Sequence, residues 1–161
     1  MTLPASPPIT MAQVRAEFGG TAGTTKLSDY VRGGAYVPDT AANSGVPTSV
    51  PITLAQLCGA SAASATLSTS SISAAGTPPG TVTTAAVYCT ASGIGSPTYS
   101  WVRVSGSTSI NATTAFSSST TFNSTFGAGG GSRSAVFKCT VSGTGGPVDS
   151  NTATVNIDSN P

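Results

Sequence analysis

Three short stretches decide how this chain folds: Val87-Tyr-Cys-Thr-Ala-Ser-Gly93, Tyr99-Ser-Trp-Val-Arg103 and Val136-Phe-Lys-Cys-Thr-Val-Ser-Gly143. Along each, side chains alternate with the period of two that marks a strand with one buried face. Trp101 follows Cys89 by 12 residues, and Cys139 follows it by 50. Each Cys opens a similar string, Cys-Thr-Ala-Ser-Gly and Cys-Thr-Val-Ser-Gly, as befits two strands leaving one core at equivalent corners.

Outward from these stretches, further alternating runs lie between turn signals. Ala65–Ser71 is the first strand expected, closed by Gly76-Thr-Pro-Pro-Gly80. Val82–Ala91 is the second, with Ala85, Val87, Cys89 and Ala91 on one face and Thr84, Tyr88 and Thr90 on the other. Gly93-Ile-Gly-Ser-Pro97 then turns the chain into Thr98–Ser105, centred on Trp101. Later come Ser134–Ser142, with Ala135, Phe137, Cys139 and Val141 in phase, and Thr152–Ile157, with Ala153, Val155 and Ile157 in phase. The expected fold is mainly β: a C-terminal β-sandwich over 81–161, a linker and first-strand region over 61–80, and a small module of short helices and extended segments over 1–60.

The N-terminal module repeats itself. Pro4-Ala-Ser-Pro-Pro-Ile-Thr-Met-Ala-Gln-Val14 returns as Pro47-Thr-Ser-Val-Pro-Ile-Thr-Leu-Ala-Gln-Leu57, with a looser copy, Thr25-Lys-Leu-Ser-Asp-Tyr-Val31, between them. Thr10 with Gln13, and Thr53 with Gln56, have capping-box spacing, which starts a helix by satisfying free backbone N–H groups. The first helix is expected from Met11 to Phe18, ended by Gly19-Gly20. Helices of two turns are unstable alone. They must pack on one another, on a second copy of the chain, or within a larger assembly. Pro8, Ile9, Thr10, Gln13, Pro51, Ile52, Thr53 and Gln56 are the residues this repeat offers as a docking motif.

The string Leu3-Pro to Pro8-Ile-Thr-Met, then Glu17-Phe-Gly, Leu27-Ser-Asp-Tyr, Arg32-Gly-Gly, Val37-Pro-Asp-Thr and Pro51-Ile-Thr-Leu resembles an N-terminal module of tailed-bacteriophage virion proteins. It covers Leu3 to about Ala60. The resemblance implies a structural, often tail-associated, role without chemistry of its own. Cys58-Gly59 stands where the family usually has Tyr-Gly, so no role of that Tyr carries over. The second half resembles the bacterial immunoglobulin-like modules of phage virions and bacterial surfaces through Cys89, Trp101 and Cys139, which in that fold join opposing sheets and cover the junction. Phe137 occupies the tyrosine-corner position, so the hydrogen bond made there must be replaced. The resemblance allows a Cys89–Cys139 disulfide, worth about 4 kcal/mol for a loop of this length. Two buried thiols serve the same packing, and both states stay open. Cys58 reads as a small apolar residue on the last short helix.

Charge and chemistry narrow the function. Lys and Arg total 6 and Asp and Glu 5, for a net charge of +1, which leaves no field to draw nucleic acid or an anionic membrane. The sequence has no His, the commonest general base and metal ligand. Glu17, Asp29, Asp39, Asp149 and Asp158 stand far apart, and the three Cys form no close pair. No catalytic, cofactor or metal site is expected, and the chain does not read as an enzyme. Gly127-Ala-Gly-Gly-Gly131 lacks the Lys-Ser/Thr of a phosphate loop and reads as a turn. Tyr30, Tyr36, Tyr88 and Tyr99 are candidates for a sugar-stacking surface, with packing as the plainer role. The loops Gly93–Pro97, Ser105–Ser109 and Gly143–Pro147 are the natural contact surface of a sandwich.

The opening Met1-Thr-Leu-Pro-Ala-Ser-Pro-Pro has neither a basic region nor an apolar core, so Sec-type export is not expected, and no run is long enough to span a membrane. The resemblance therefore implies a virion protein made in a host cytoplasm. It would dock beside other virion proteins and further copies of itself, as a trimer or larger ring, and display a domain for weak adhesion to host-surface glycans. A head decoration protein, and a bacterial surface adhesin or carbohydrate-binding module, are the competing readings.

Overall fold

The computed structural model describes residues 2–144 and 147–160, so Met1, Gly145, Gly146 and Pro161 lie outside it. The protein is mainly β, with several sheets. It divides into two compact units. The first holds Met1–Ser64 with Ala91–Pro97 and Ser142–Pro147; the second holds Ala65–Thr90, Thr98–Val141 and Val148–Pro161.

The first unit is built on a device used three times. Helix α1 spans Met11–Phe18, and single 3₁₀ turns span Leu27–Tyr30, Ala41–Asn43 and Leu54–Leu57. The Thr10 N–H donates to Gln13 Oε1 at 2.8 Å, the Lys26 N–H to Asp29 Oδ2 at 2.8 Å, and the Thr53 N–H to Gln56 Oε1 at 2.7 Å. A side chain three residues on thus satisfies an otherwise orphaned donor each time. The next residue is Val14, Tyr30 or Leu57, and all three are completely buried. Cap and anchor are adjacent in sequence, so starting the helix also aims the apolar side chain inward.

These anchors meet Leu3, Ile9, Phe18, Val37, Val46 and Ile52 in one core. The short helices therefore pack on one another. Tyr30 stands in the middle, 6.4 Å from the Phe18 ring and 5.0 Å from the Tyr36 ring, and its hydroxyl donates to Gly19 O at 2.7 Å. A Cβ on Gly20, at φ +112°, would lie 2.5 Å from that hydroxyl, so glycine is required beside it.

The ends of this unit are tied together. Leu3 N–H donates to Ala60 O at 3.0 Å, and Gly59 N–H donates to Pro4 O at 2.9 Å. Asn43, 1% exposed, donates from Nδ2 to Pro38 O and Ser61 O and accepts at Oδ1 from the Ser61 N–H. The Ala62 N–H donates to Glu17 Oε1 at 2.8 Å. Ser61 and Ala62 are consequently not the start of a free linker. The small-residue composition of 59–64 suggested one, but two side chains far away in sequence hold the backbone.

The second unit carries strands β1 (Ser64–Leu67), β2 (Ser71–Gly76), β3 (Gly80–Thr83), β4 (Val87–Ser92), β5 (Gly95–Gly106), β6 (Asn111–Ala112), β7 (Ser119–Thr120), β8 (Phe122–Phe126), β9 (Gly131–Thr144), β10 (Val148–Asp149) and β11 (Ala153–Ser159). Ladders run β1-β4-β7, β3-β8-β6 and β10-β9-β11-β2, with β5 added on β9. The pairing of β2 with β11 is parallel. The single first strand expected over 65–71 is two strands, because the chain changes sheets: β1 joins β4 and β2 joins β11. Thr69 makes the break, its hydroxyl donating to Ser71 O at 2.6 Å.

The second expected strand is also split. Gly80 faces Phe126 and Thr83 faces Asn123, but Val87 faces Thr120, so β3–β4 gains one residue on its partner between Thr84 and Ala86. That is a β-bulge. It reverses the phase, burying Thr84 and exposing Ala85, the opposite of the alternation expected for that run. The buried Thr84 hydroxyl accepts from Phe122 N–H at 3.0 Å and donates to Ala85 O at 2.8 Å, so no polar group is stranded.

Replacing Asn43 with Ala leaves the Ser61 N–H and O and the Pro38 O unpaired in the interior, at an expected cost of about 3 kcal/mol. Thr10→Ala removes one exposed cap at about 1 kcal/mol. Urea titration of both variants tests the ranking; an Asn43→Ala loss no larger than that of Thr10→Ala would show that the latch is dispensable.

Candidate functional site

Cys89 on β4 and Cys139 on β9 belong to different ladders. Both are buried and both are free thiols. Burial pushes the Cys89 thiol up, and raises Cys139 further, to about 12, where the facing Cys89 adds to the effect. Neither is a useful nucleophile near neutrality.

Trp101 on β5 is 6% exposed, meets the edge of Phe122 at 5.8 Å and donates from Nε1 to Ser117 O at 2.8 Å. Phe122 stacks at a tilt on Phe137, 4.5 Å away. The two ladder groups thus close on a Trp101–Phe122–Phe137 cluster. Phe122, completely buried, was missed by the sequence reading, although Phe122-Asn-Ser-Thr-Phe126 carries a period-two signal of its own.

Phe137 is held from the face of its ring by a cation. The Arg103 guanidinium lies over its ring at 5.5 Å, and Nη2 donates to Thr108 O at 3.2 Å and to Ile110 O. Arg133 repeats the pattern over Phe126 at 4.3 Å and donates to Thr125 O at 2.7 Å. Both Arg share the inward phase of their strands, so each roofs a Phe while fixing a neighbouring loop or strand.

The eight residues offered as a docking motif divide by task. Ile9 and Ile52 are buried in the core of the first unit. Thr10, Gln13, Thr53 and Gln56 are exposed but committed to their caps. Pro8 and Pro51 are exposed, each following a cis peptide bond. The repetition therefore serves folding first, because both copies solve the same helix-start problem. Cys58 is half-buried against the same core.

The four tyrosines do not form one surface. Tyr30 and Tyr36 stack on each other in the first unit, and Tyr30 is fully buried, with burial raising its hydroxyl above the ordinary value. Tyr88 alone among them is strongly exposed, at 57%. Two of the three loops read as contact surface belong to the first unit, where Ser96, Pro97, Gly143, Thr144 and Pro147 are exposed. A Cβ on Gly93 would sit 2.9 Å from Ala62 O, and one on Gly143 would sit 2.4 Å from Gly95 O. Gly145 and Gly146, within the third of those loops, lie outside the described residues. Ser105–Ser109 folds back instead, with the Ser107 N–H donating to Ser134 O at 2.8 Å.

On the surface, Lys138 pairs with Asp149, whose other oxygen accepts from Thr140 Oγ1 at 2.6 Å. These two contacts hold the Asp149 carboxyl below its usual range. Among the described residues no three Cys, Asp or Glu side chains converge as a metal site, and no helix is long and apolar enough to cross a membrane.

No family model matches this chain, and no curated protein matches it. Among solved structures, it is similar to a nucleoside hydrolase-related hypothetical protein from Saccharophagus degradans associated with carbohydrate metabolism, at a TM-score of 0.35 and 14% identity. The match covers 68% of this chain and 28% of the other, so the chain spans under a third of that protein's length. A likeness this distant bears on neither fold nor function.

In the native protein, a thiol reagent at pH 7 is expected to label Cys58 alone, with Cys89 and Cys139 reacting only at the rate of unfolding. Mass spectrometry after timed alkylation reads the positions; prompt labelling of Cys139 would contradict its burial. Because the folded Cys139 value lies above the unfolded one of 9.0, the folded state holds its proton longer. Its contribution is intact below pH 9.0 and is lost as pH rises towards about 12, so denaturant midpoints should fall across that window and fall less in Cys139→Val.

Proposed function

We propose that this chain is a structural protein of a tailed-bacteriophage virion, associated with the tail tip or fibre, in which a pre-folded N-terminal module docks and an immunoglobulin-like domain is displayed for weak adhesion to the host surface. One observation carries the reading. The segment that resembles the virion module, Leu3 to Ala60, coincides with a closed folded body whose two ends are hydrogen-bonded to each other through Leu3, Pro4, Gly59 and Ala60. A string shared with virion proteins is thus also a physical unit. Its neighbours in the particle are other virion proteins and further copies of itself.

The immunoglobulin-like part is supported by the arrangement of the second unit. One Cys lies in each ladder group, and Trp101 is buried with its ring against Phe122. The ladders β1-β4-β7 and β3-β8-β6 continue one another through the bulge, with Thr84 N–H donating to Phe122 O at 2.8 Å. They face the group β5, β9, β10, β11 and β2 across the aromatic cluster.

Docking then runs through the outer surface of a finished body, since the apolar side chains of the repeat are already used. Cryo-EM of purified particles, with the chain identified by mass spectrometry, tests the proposal. The expected density places residues 2–64 against tail proteins with the second unit projecting outward. Density studding the head would move the role to capsid decoration, and absence of the chain from every particle would remove the virion reading.

A further inference from the structure

Strand β2, Ser71–Gly76, ends the order β10-β9-β11-β2, so a ladder partner lies on one side of it only. In its parallel register Ser71 stands beside Thr154, and the Thr154 N–H donates to Ser70 O at 2.9 Å. Backbone groups alternate sides along a strand. Ser70, Ile72, Ala74 and Gly76 therefore turn theirs to β11, and Ser71, Ser73 and Ala75 turn theirs away. At Ser71 the outward groups are already taken: the Thr69 hydroxyl accepts from the Ser71 N–H at 3.2 Å and donates to Ser71 O at 2.6 Å. Among the described residues nothing bonds to the N–H or C=O of Ser73 or of Ala75, and both residues are exposed.

Native sheets guard such an edge with a charge, a proline or a bulge. Between Thr69 and Pro78 this edge has none of these: β2 reads Ser-Ile-Ser-Ala-Ala-Gly. Other sheet margins are occupied. β1 gives its Leu67 N–H to Asn151 Oδ1 at 2.8 Å, β5 gives its Trp101 N–H to Ala115 O at 2.9 Å, and β10 is two residues long with Asp149 paired to Lys138.

The four open groups are complementary to themselves. When a second copy lies antiparallel about a two-fold axis at Ala74, Ser73 meets the second copy's Ala75, and Ala75 meets its Ser73. Each pair exchanges two hydrogen bonds, so every open group in both copies is satisfied. At the axis two Ala74 methyls face each other in the pair type where strands approach most closely, which suits a small side chain. Sliding the pairing towards Ser71 is blocked, because Thr69 already holds that residue. The nearest charge, Asp158, stands beside Ala75 on β11. Its mate would lie three strand spacings away, about 14 Å, which is beyond the screening length of about 8 Å at physiological salt.

We infer that β2 is a self-association edge at which two copies of this chain join through their second units into one continuous sheet. A second copy is the occupant because donors, acceptors, side-chain size and lack of charge all match under one two-fold axis. The inference does not rest on the virion reading. A two-fold pair closes on itself, whereas the resemblance implies a trimer or larger ring. An edge contact of this kind buries less than about 1,200 Å², so the pairing is weak and reversible.

Sedimentation equilibrium of the full chain from about 10 µM to about 1 mM, where a weak interface fills, tests it. Monomer and dimer should exchange, with no larger species. Hydrogen exchange at the Ser73 and Ala75 amides should slow as concentration rises, while the Ile72 and Ala74 amides, turned to β11, keep their rates. Ser73→Pro removes two of the four bonds, at an N–H that faces water, and should weaken the dimer by about tenfold or more. Ser73→Lys supplies the missing guard and should do the same. Both variants lose no bond within a copy, so dilute samples should melt as wild type. Val104→Ser and Phe116→Ser, at exposed apolar residues elsewhere, should associate as wild type. A monomer throughout the range, a dimer that survives both Ser73 variants, or one abolished by Val104→Ser or Phe116→Ser would overturn the inference. A chain that stays monomeric leaves the virion reading as it was, and a dimer of a chain that no particle contains removes only the virion reading.

Discussion

The second unit depends on the meeting of Trp101, Phe122 and Phe137. The chain is poor in aromatics, at 6% of residues, and three of them are concentrated where the two ladder groups face each other. Elsewhere the interior is filled by small and β-branched side chains such as Ala135, Val141, Ala153 and Val155. Such residues bury little area each, so the aromatic cluster supplies the apolar area on which closure turns. It is also tied to polar structure: Trp101 through its indole N–H to Ser117, and Phe137 through the Arg103 guanidinium. Arg103 joins the Phe137 ring to the loop carbonyls of Thr108 and Ile110. The first unit solves the same problem with Tyr30, whose ring fills the core and whose hydroxyl closes the end of α1 on Gly19.

What the sequence made legible follows from how local each signal is. Helix α1 runs from Met11 to Phe18, as its capping box and Gly19 dictate, because every determinant lies within nine residues. The inward phases of β9 and β11 were readable for the same reason: Ala135, Phe137, Cys139 and Val141, then Ala153, Val155 and Ile157, alternate without interruption. The bulge between β3 and β4 was not readable. It is a mismatch of count between two strands almost forty residues apart, and Thr84 becomes an acceptable interior residue only once Phe122 N–H is there to donate to it. Strands β6, β7 and β8 are not legible in the sequence because Ser and Thr fill both faces of that stretch, so hydropathy barely alternates, and Phe122 and Phe126 carry the pattern alone.

The candidate site was less legible than the fold, and in an instructive direction. Repetition of Pro-Ile-Thr-x-x-Gln resembles a contact motif, yet Ile9 and Ile52 are interior and the Thr and Gln side chains are spent on caps. A repeat in sequence records a repeated physical need, and here that need is to start a short helix and bury the residue one place beyond its cap. Conversely, the absence of charged residues from six strands of the second unit is plain in the sequence, while the division of those strands between the ladders β1-β4-β7 and β3-β8-β6 is not.

The division into ladders also bears on how the two thiols behave. Cys89 and Cys139 belong to different ladder groups, so a bond between them would fasten one group to the other. Forming it requires a thiolate, and burial raises both thiols, Cys139 to about 12. The folded state therefore protects the reduced pair kinetically even where an oxidant is present, and oxidation is most accessible before the two groups close. In the thiol form the aromatic cluster holds the groups together alongside Arg103 and Arg133, which bond across to Asn111 and Thr125, and Phe122 is the ring that both Trp101 and Phe137 meet.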